Sequence, residues 1–150
     1  MRSVSSQGVE FIQQMEGFSP TPYKDGGGVW TIGYGHVIRP GESLDTITLE
    51  QGKMLLIKDL AVAEEAVTRN ISVKLNEAQF CALVSFAFNV GGYALKTSTL
   101  KRVLNAGDYS GVPAQLDRWV FDNKQKIKGL VNRRKAEGDL FINGFPNVHA

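Results

Sequence analysis

A run of three glycines directly after Asp25 constrains the N-terminal part of the chain more than any other feature. Glycine disfavours a helix interior, and the two prolines a few residues upstream cannot continue a helix either. Residues 23–24 and 29–32 are rich in aromatic and β-branched side chains. They predict two short strands, with residues 25–28 as the turn of a hairpin and residues 33–35 continuing the small sheet.

Helical patterns lie on both sides of this hairpin. Apolar residues spaced three apart predict a first helix from Ser6 to Glu16, and Gly17 is well placed to end it. Further along the chain, the patterns predict three shorter helices, near residues 98–106, 113–121 and 130–142.

Capping residues predict where two longer helices begin. A Thr or Asn followed three residues later by Gln is typical of a capping box, and this pattern occurs at Thr48 and Asn76. The first box predicts a long helix to about Arg69. The second predicts a helix over 77–90, whose apolar residues cover most of its circumference and mark it as the central core helix. We expect Gly91–Gly92 to break it.

These elements predict an α+β, mostly helical fold for residues 1–150 as a single domain. We expect a small N-terminal lobe with the β-hairpin, a connecting helix and a helical C-terminal lobe. A cleft between two such lobes suits an extended substrate. Cys81 is the only cysteine, which excludes an intrachain disulfide. Its apolar neighbours predict a buried, inert thiol.

The net charge and the hydropathy of the chain argue against a nucleic-acid partner and against a membrane-spanning segment. The net charge of +2 is too small to argue for nucleic acid. Residues 1–15 lack the continuous apolar region of a signal peptide, and no run approaches the roughly 20 apolar residues that span a bilayer. We therefore expect synthesis in the cytoplasm.

Glu16, Asp25 and Thr31 are the candidate catalytic residues. Glycoside hydrolysis requires one carboxyl group that keeps its proton and a second that is ionised. The C-terminal end of a helix suits Glu16 as the proton donor, and the backbone N–H groups of a glycine-rich turn suit an ionised Asp25. Thr31 offers a hydroxyl that can hold a water. Spacing alone also allows a surface glutamate, a turn aspartate and an ordinary strand threonine.

Three segments carry a resemblance that bears on this choice. Residues 15–36 contain a Glu, eight residues, an Asp, five residues and a Thr. Residues 86–91 read FAFNVG, and residues 129–137 read GLVNRRKAE. In this order, the segments resemble the catalytic signature, the central helix and the Gly-Leu-x-x-Arg-Arg-x-x-Glu helix of the phage-type lysozymes, the endolysins of glycoside hydrolase family 24. The resemblance covers nearly the whole chain.

The resemblance implies a lysozyme-like fold and lytic hydrolysis of the β-1,4 bond between N-acetylmuramic acid and N-acetylglucosamine in peptidoglycan. Glu16 would protonate the leaving oxygen, Asp25 would activate or electrostatically support the attacking water, and Thr31 would position it. Inversion is the expected stereochemistry, with the two carboxyl groups about 6.5–9.5 Å apart. A lytic transglycosylase and a catalytically silent peptidoglycan-binding module are the alternatives. A nucleic-acid-binding protein would leave the hairpin signature unexplained.

Other residues receive secondary roles, some from the resemblance. Substrate binding is expected of four residues, namely Tyr34, Phe88, Asn89 and Thr99, and the alternative for Phe88 is that it is a core residue. His36 is interpreted as a hydrogen-bonded structural residue. Arg133 either tunes Glu16 across the cleft or is a solvated helix-end arginine, and we expect the latter. His36 and His149 do not make a metal site, and no cofactor is expected.

The segment Lys124–Lys135 concentrates six basic residues in twelve positions. It predicts electrostatic contact with the anionic cell envelope or is an unpartnered basic surface. We expect the protein to be a monomer and to reach the cell wall through a membrane lesion of the kind a holin makes.

Overall fold

The computed structural model describes residues 2–146, and within this range the chain forms seven helices and five strands. The mostly helical α+β prediction is confirmed. The elements in chain order are α1 Ser6–Glu16, β1 Ser19–Lys24, β2 Trp30–Gly33, β3 His36–Val37, α2 Leu49–Asn70, α3 Glu77–Val90, α4 Gly92–Lys96, α5 Thr99–Asn105, α6 Val112–Leu116, β4 Phe121–Asp122, β5 Gln125–Lys126 and α7 Lys128–Asn143.

The N-terminal strands form an antiparallel sheet in the order β1-β2-β3. The strand β1 begins at Ser19, four residues before the predicted start, and includes both prolines. Proline is tolerated there because β1 is an edge strand, where a backbone N–H need not join the ladder. Residues 34–35 do not extend the sheet as predicted but form the turn between β2 and β3. The positive φ angles of Gly33 (68°) and Gly35 (81°) explain this turn.

The first three helices confirm the start and stop signals. The helix α1 has the predicted bounds, and the N–H of Gly17 donates to the carbonyl of Gln13 at 3.0 Å. Reciprocal capping bonds open α2 at Thr48 and α3 at Asn76. Nine of the fourteen α3 residues are buried, as expected of a core helix.

The C-terminal half differs from the prediction in two places. Only Gly91 separates α3 from the next helix, since Gly92 is already the first residue of α4. The helix predicted over 113–121 ends at Leu116, and residues 121–126 instead form a hairpin that the sequence analysis missed. Both turn residues, Asn123 and Lys124, have positive φ angles (49° and 65°), which match the twist of a two-residue hairpin.

Tertiary contacts group Val9–Ala61 into one compact unit and the described residues on either side of it into another. In the second unit, α3 packs against α7, which also packs against α6. Cys81 is fully buried there, as predicted. Burial, with smaller effects from Glu137 and Glu77, raises the pKa of its thiol to about 12, so the thiol stays protonated.

Candidate active site

Glu16 is the last residue of α1, and its side chain is half-buried. Gly17 follows with a φ of 71°, a left-handed conformation that ends the helix there. A side chain at Gly35 would begin 2.9 Å from Oε1 of Glu16, a separation that real Cβ atoms essentially never show. The carboxyl group therefore lies against the backbone of the β2–β3 turn, and glycine at position 35 leaves it room.

Asp25 occupies the first position of the glycine-rich turn and is exposed. Its Oδ1 accepts hydrogen bonds from the N–H groups of Gly27 (2.9 Å) and Val29 (2.8 Å). The carbonyl of Asp25 accepts the N–H of Gly28 at 2.9 Å. Within residues 2–146, no group donates to the other carboxylate oxygen, Oδ2. The turn therefore fixes one oxygen and leaves the other accessible to solvent.

Thr31 lies in β2 and is buried, with Tyr23 and Val37 as its cross-strand neighbours. Its hydroxyl donates to the carbonyl of Val29 at 3.0 Å, and that carbonyl also accepts the N–H of Asp25 at 2.9 Å. Since the N–H of Val29 bonds the Asp25 carboxylate, the backbone of one residue links Asp25 and Thr31. This role of Val29 could not be predicted from the sequence, because side-chain identity does not reveal a backbone bridge.

His36 is buried and hydrogen-bonded at both ring nitrogens, which is the environment expected of a structural residue. Its Nδ1 lies 2.7 Å from Asp59, and its Nε2 lies 3.1 Å from each oxygen of Glu42. Burial lowers the pKa of His36, but the hydrogen bonds and charges of Asp59 and Glu42 together raise it above its ordinary value. The N–H of Arg39 and the His36 ring lower the pKa of Glu42. Neither acidic partner was predicted from the sequence.

The predicted substrate-binding residues fall in both units. Tyr34 belongs to the Val9–Ala61 unit, where it is buried with its ring 5.1 Å from that of Phe18. In the other unit, Phe88 is half-buried near the end of α3. Asn89 is exposed and accepts a hydrogen bond from Arg134 at 2.8 Å. Their substrate contacts stay predictions.

Thr99 is the first residue of α5 and is half-buried. Its hydroxyl oxygen accepts a hydrogen bond from Arg102 at 3.1 Å. This contact orients the hydroxyl group, and its contact with substrate also stays a prediction.

The expectation of a solvated Arg133 is wrong. Its side chain is 8% exposed and donates to Glu137 (3.2 Å) and to the carbonyl of Ser85 (3.0 Å). Arg134 also pairs with Glu137 at 2.8 Å, and Ser85 donates to that carboxylate at 2.6 Å. The fully buried Glu137 requires these donors, because an unpaired buried charge is strongly destabilising.

Burial of the two arginines reduces the basic surface predicted over Lys124–Lys135. Four exposed lysines remain in that segment, at positions 124, 126, 128 and 135. Within residues 2–146, no group of three or more potential metal ligands is placed to hold an ion. The other histidine, His149, lies outside the described residues.

A family model described as phage lysozyme matches residues 13–137, which include the whole Glu16, Asp25 and Thr31 set. The chain belongs to the phage lysozyme family. It is therefore an endolysin-type glycoside hydrolase that degrades peptidoglycan.

Individual relatives support the assignment over nearly full length. The chain is 37% identical over 142 residues to an endolysin of Acyrthosiphon pisum secondary endosymbiont phage 1, covering 92% of this chain and 97% of the relative. It is 39% identical to a SAR-endolysin of Enterobacteria phage P21, covering 87% of this chain and 79% of that protein. The structure of an endolysin from Escherichia coli O157:H7 phage FAHEc1 matches with a TM-score of 0.87 at 31% identity, covering 97% of this chain and 98% of that one.

The structural match confirms a phage-lysozyme fold. In the part of the chain that the structure describes, no helix is long and apolar enough to cross a bilayer.

Proposed function

We propose that this phage lysozyme hydrolyses the β-1,4 bond between N-acetylmuramic acid and N-acetylglucosamine with inversion at the sugar carbon. Glu16 donates a proton to the leaving glycosidic oxygen. Asp25 activates the attacking water or supports the transition state by its charge, and Thr31 positions that water. Inversion requires the two carboxyl groups to be separated by enough space for the water, about 6.5–9.5 Å.

One observation carries the proposal, namely the backbone bridge from Val29 to both Asp25 and Thr31. The bridge holds Oδ1 of Asp25 in place, and no group within residues 2–146 donates to Oδ2. Because Thr31 donates its hydroxyl hydrogen bond to the carbonyl of Val29, the lone pairs of the hydroxyl oxygen can accept a hydrogen bond from a water molecule. A water bound by Thr31 and Asp25 would have a nearby base.

The decisive experiment compares the products that wild type and Glu16→Gln release from purified peptidoglycan. We expect the wild type to produce reducing N-acetylmuramic acid ends of inverted configuration. Glu16→Gln should lose this activity by a factor of about 100 or more, since a positioned acid contributes about that much. Glu10→Gln is the matched control, because Glu10 is an exposed glutamate on the same helix.

Three outcomes would contradict the proposal. If the wild type produced anhydro ends, the reaction would be transglycosylation rather than hydrolysis. Retained binding without cleavage by the wild type would leave a peptidoglycan-binding module. Wild-type rates of cleavage by both Glu16→Gln and Asp25→Asn would show that neither carboxyl group takes part in the reaction.

The proposal also includes action as a monomeric single catalytic domain that reaches the wall after the membrane is permeabilised. We further propose that the four exposed lysines of the 124–135 segment contact the anionic envelope, supported by their solvent exposure. Their attraction should weaken as salt shortens the Debye length to about 3 Å at 1 M. A lytic rate that does not change with salt would contradict the envelope contact.

A further inference from the structure

The hairpin that carries Asp25 and Thr31 also presents a tryptophan to solvent. Trp30 is 52% exposed. Large apolar side chains on a protein surface commonly mark a contact site when they cluster. Its neighbour Val29 is 42% exposed. The other tryptophan of the chain, Trp119, is half-buried with its ring 5.5 Å from that of Phe86. Nothing in the site described above uses the Trp30 ring.

A lysine accompanies this ring. Lys24 is the cross-strand partner of Trp30, and its ammonium nitrogen lies 5.3 Å from the ring centroid, within the range of a cation–π contact. Within residues 2–146, Lys24 forms no ion pair with a carboxylate. The adjacent Asp25 forms no ion pair with Lys24, and its Oδ1 is instead bonded to the backbone of the turn. The ammonium group of Lys24 is therefore held beside the Trp30 ring and is available to pair with a carboxylate of a ligand.

We propose that Trp30 and Lys24 form a docking surface for the stem peptide of peptidoglycan, and this rests on the proposed function. Stem peptides join apolar groups to free carboxylates, which matches an exposed ring beside an unpaired cation. This surface lies on the same hairpin as two of the proposed catalytic residues, since Lys24 precedes Asp25 and Trp30 precedes Thr31 in the chain. When the stem peptide of a peptidoglycan molecule binds this surface, the glycan chain that carries it lies next to the hairpin.

The test measures binding without turnover, in a Glu16→Gln background. The ligands are soluble glycan oligomers with intact stems and the same oligomers after an amidase has removed the stems. We expect Trp30→Ala to raise the Kd for stem-bearing oligomers about tenfold, the loss typical of an aromatic contact residue. Lys24→Gln should raise it about threefold at low salt and less at high salt. Neither substitution should change the Kd for stem-free oligomers by more than a small fraction of these effects.

Controls separate docking from damage to the fold. Met54→Ala and Lys58→Gln change an exposed apolar residue and an exposed lysine on α2 of the same unit and should leave both Kd values unchanged. Trp30→Phe keeps an aromatic ring and should recover most of the binding. In otherwise wild-type protein, Trp30→Ala should raise KM and leave kcat nearly unchanged, as expected when uniform binding is lost.

Several results would overturn the inference while leaving the proposed function standing. Unchanged Kd values in Trp30→Ala and Lys24→Gln would remove the docking surface. Equal losses on stem-bearing and stem-free oligomers would assign the pair to the sugar chain. A loss of binding to anionic phospholipid vesicles, with oligomer binding intact, would assign it to the membrane. Absence of cleavage by the wild type would instead remove the proposed function, and the binding data would still decide the role of Trp30 and Lys24.

Discussion

Gly35 carries no side chain at a point where the Glu16 carboxyl group leaves no room for one. Its φ of 81° is also one that side-chain-bearing residues rarely adopt. The sequence patterns correctly predict Glu16 at the end of α1, but they predict that Gly35 continues a strand. The contact between Gly35 and Glu16 could not be predicted, because it joins two elements 19 positions apart in the chain.

We predict that Gly35→Ala displaces the Glu16 carboxyl group and lowers kcat by a factor between about 10 and 100, since a misplacement of about 1 Å can cost that much. Steady-state kinetics on peptidoglycan measures the loss. Gly41→Ala is the matched control, because Gly41 has a similar φ of 89° but no atom within 4 Å of its would-be Cβ. Equal kinetic losses in both variants would trace the effect to backbone strain and contradict a role for the Glu16 contact.

Helices whose ends carry specific side-chain signals were predicted closely, and short elements were not. The bounds of α1 and α3 agree with the structure, and α2 ends one residue beyond the predicted Arg69. A cap or a left-handed glycine acts through contacts within one turn of helix, so local sequence is enough to locate it. The β4–β5 hairpin lacks the Asn-Gly or Asp-Gly turn that signals such a structure, and its four strand residues carry little pattern.

The capping box of α3 gives a direct test of this reasoning. Asn76→Ala removes the acceptor for the N–H of Gln79, which it bonds at 2.8 Å. We expect the free energy of unfolding to fall by about 1 kcal/mol. Urea denaturation measures it, with Asn132→Ala as the control because Asn132 is an exposed asparagine inside α7. A change of less than about 0.3 kcal/mol beyond the control would mean that packing alone defines the start of α3.

Stability of the molecule depends on polar groups that meet from distant parts of the chain. His36, Glu42 and Asp59 come from β3, the loop after it and α2, and they meet inside the Val9–Ala61 unit. In the other unit, Ser85 from α3 meets Arg133, Arg134 and Glu137 from α7. Burial alone disfavours these charges, so each group depends on its partners.

The His36 group predicts a pH-dependent stability. Its pKa is raised on folding, so its contribution is complete below the ordinary value of 6.5 and is lost as pH rises through the higher folded value. The pKa of Glu42 is lowered, so its contribution is present above about 4.5 and is lost as pH falls through the lower folded value. The stability difference between wild type and His36→Gln should therefore be largest near pH 5.5 and smaller at pH 9.

Urea denaturation of both proteins at several pH values measures this difference. Asp59→Asn serves as a second variant, because it removes the acceptor at Nδ1 and should reduce the same pH dependence. A difference that is constant from pH 5 to pH 9 would show that His36 contributes by packing rather than by charge.

Whether a feature of this protein could be predicted from its sequence depends on how far apart in the chain the interacting residues lie. The boundaries of α1, α2 and α3, the glycine-rich turn and the spacing of Glu16, Asp25 and Thr31 depend on residues close in sequence, and they could be found there. Tertiary structure was needed to bury Arg133 and Arg134 beside Glu137, to give His36 two acidic partners and to place Gly35 against Glu16. These pairings depend on which distant groups lose water together, and desolvation of a charge is a property of the folded chain rather than of any local segment.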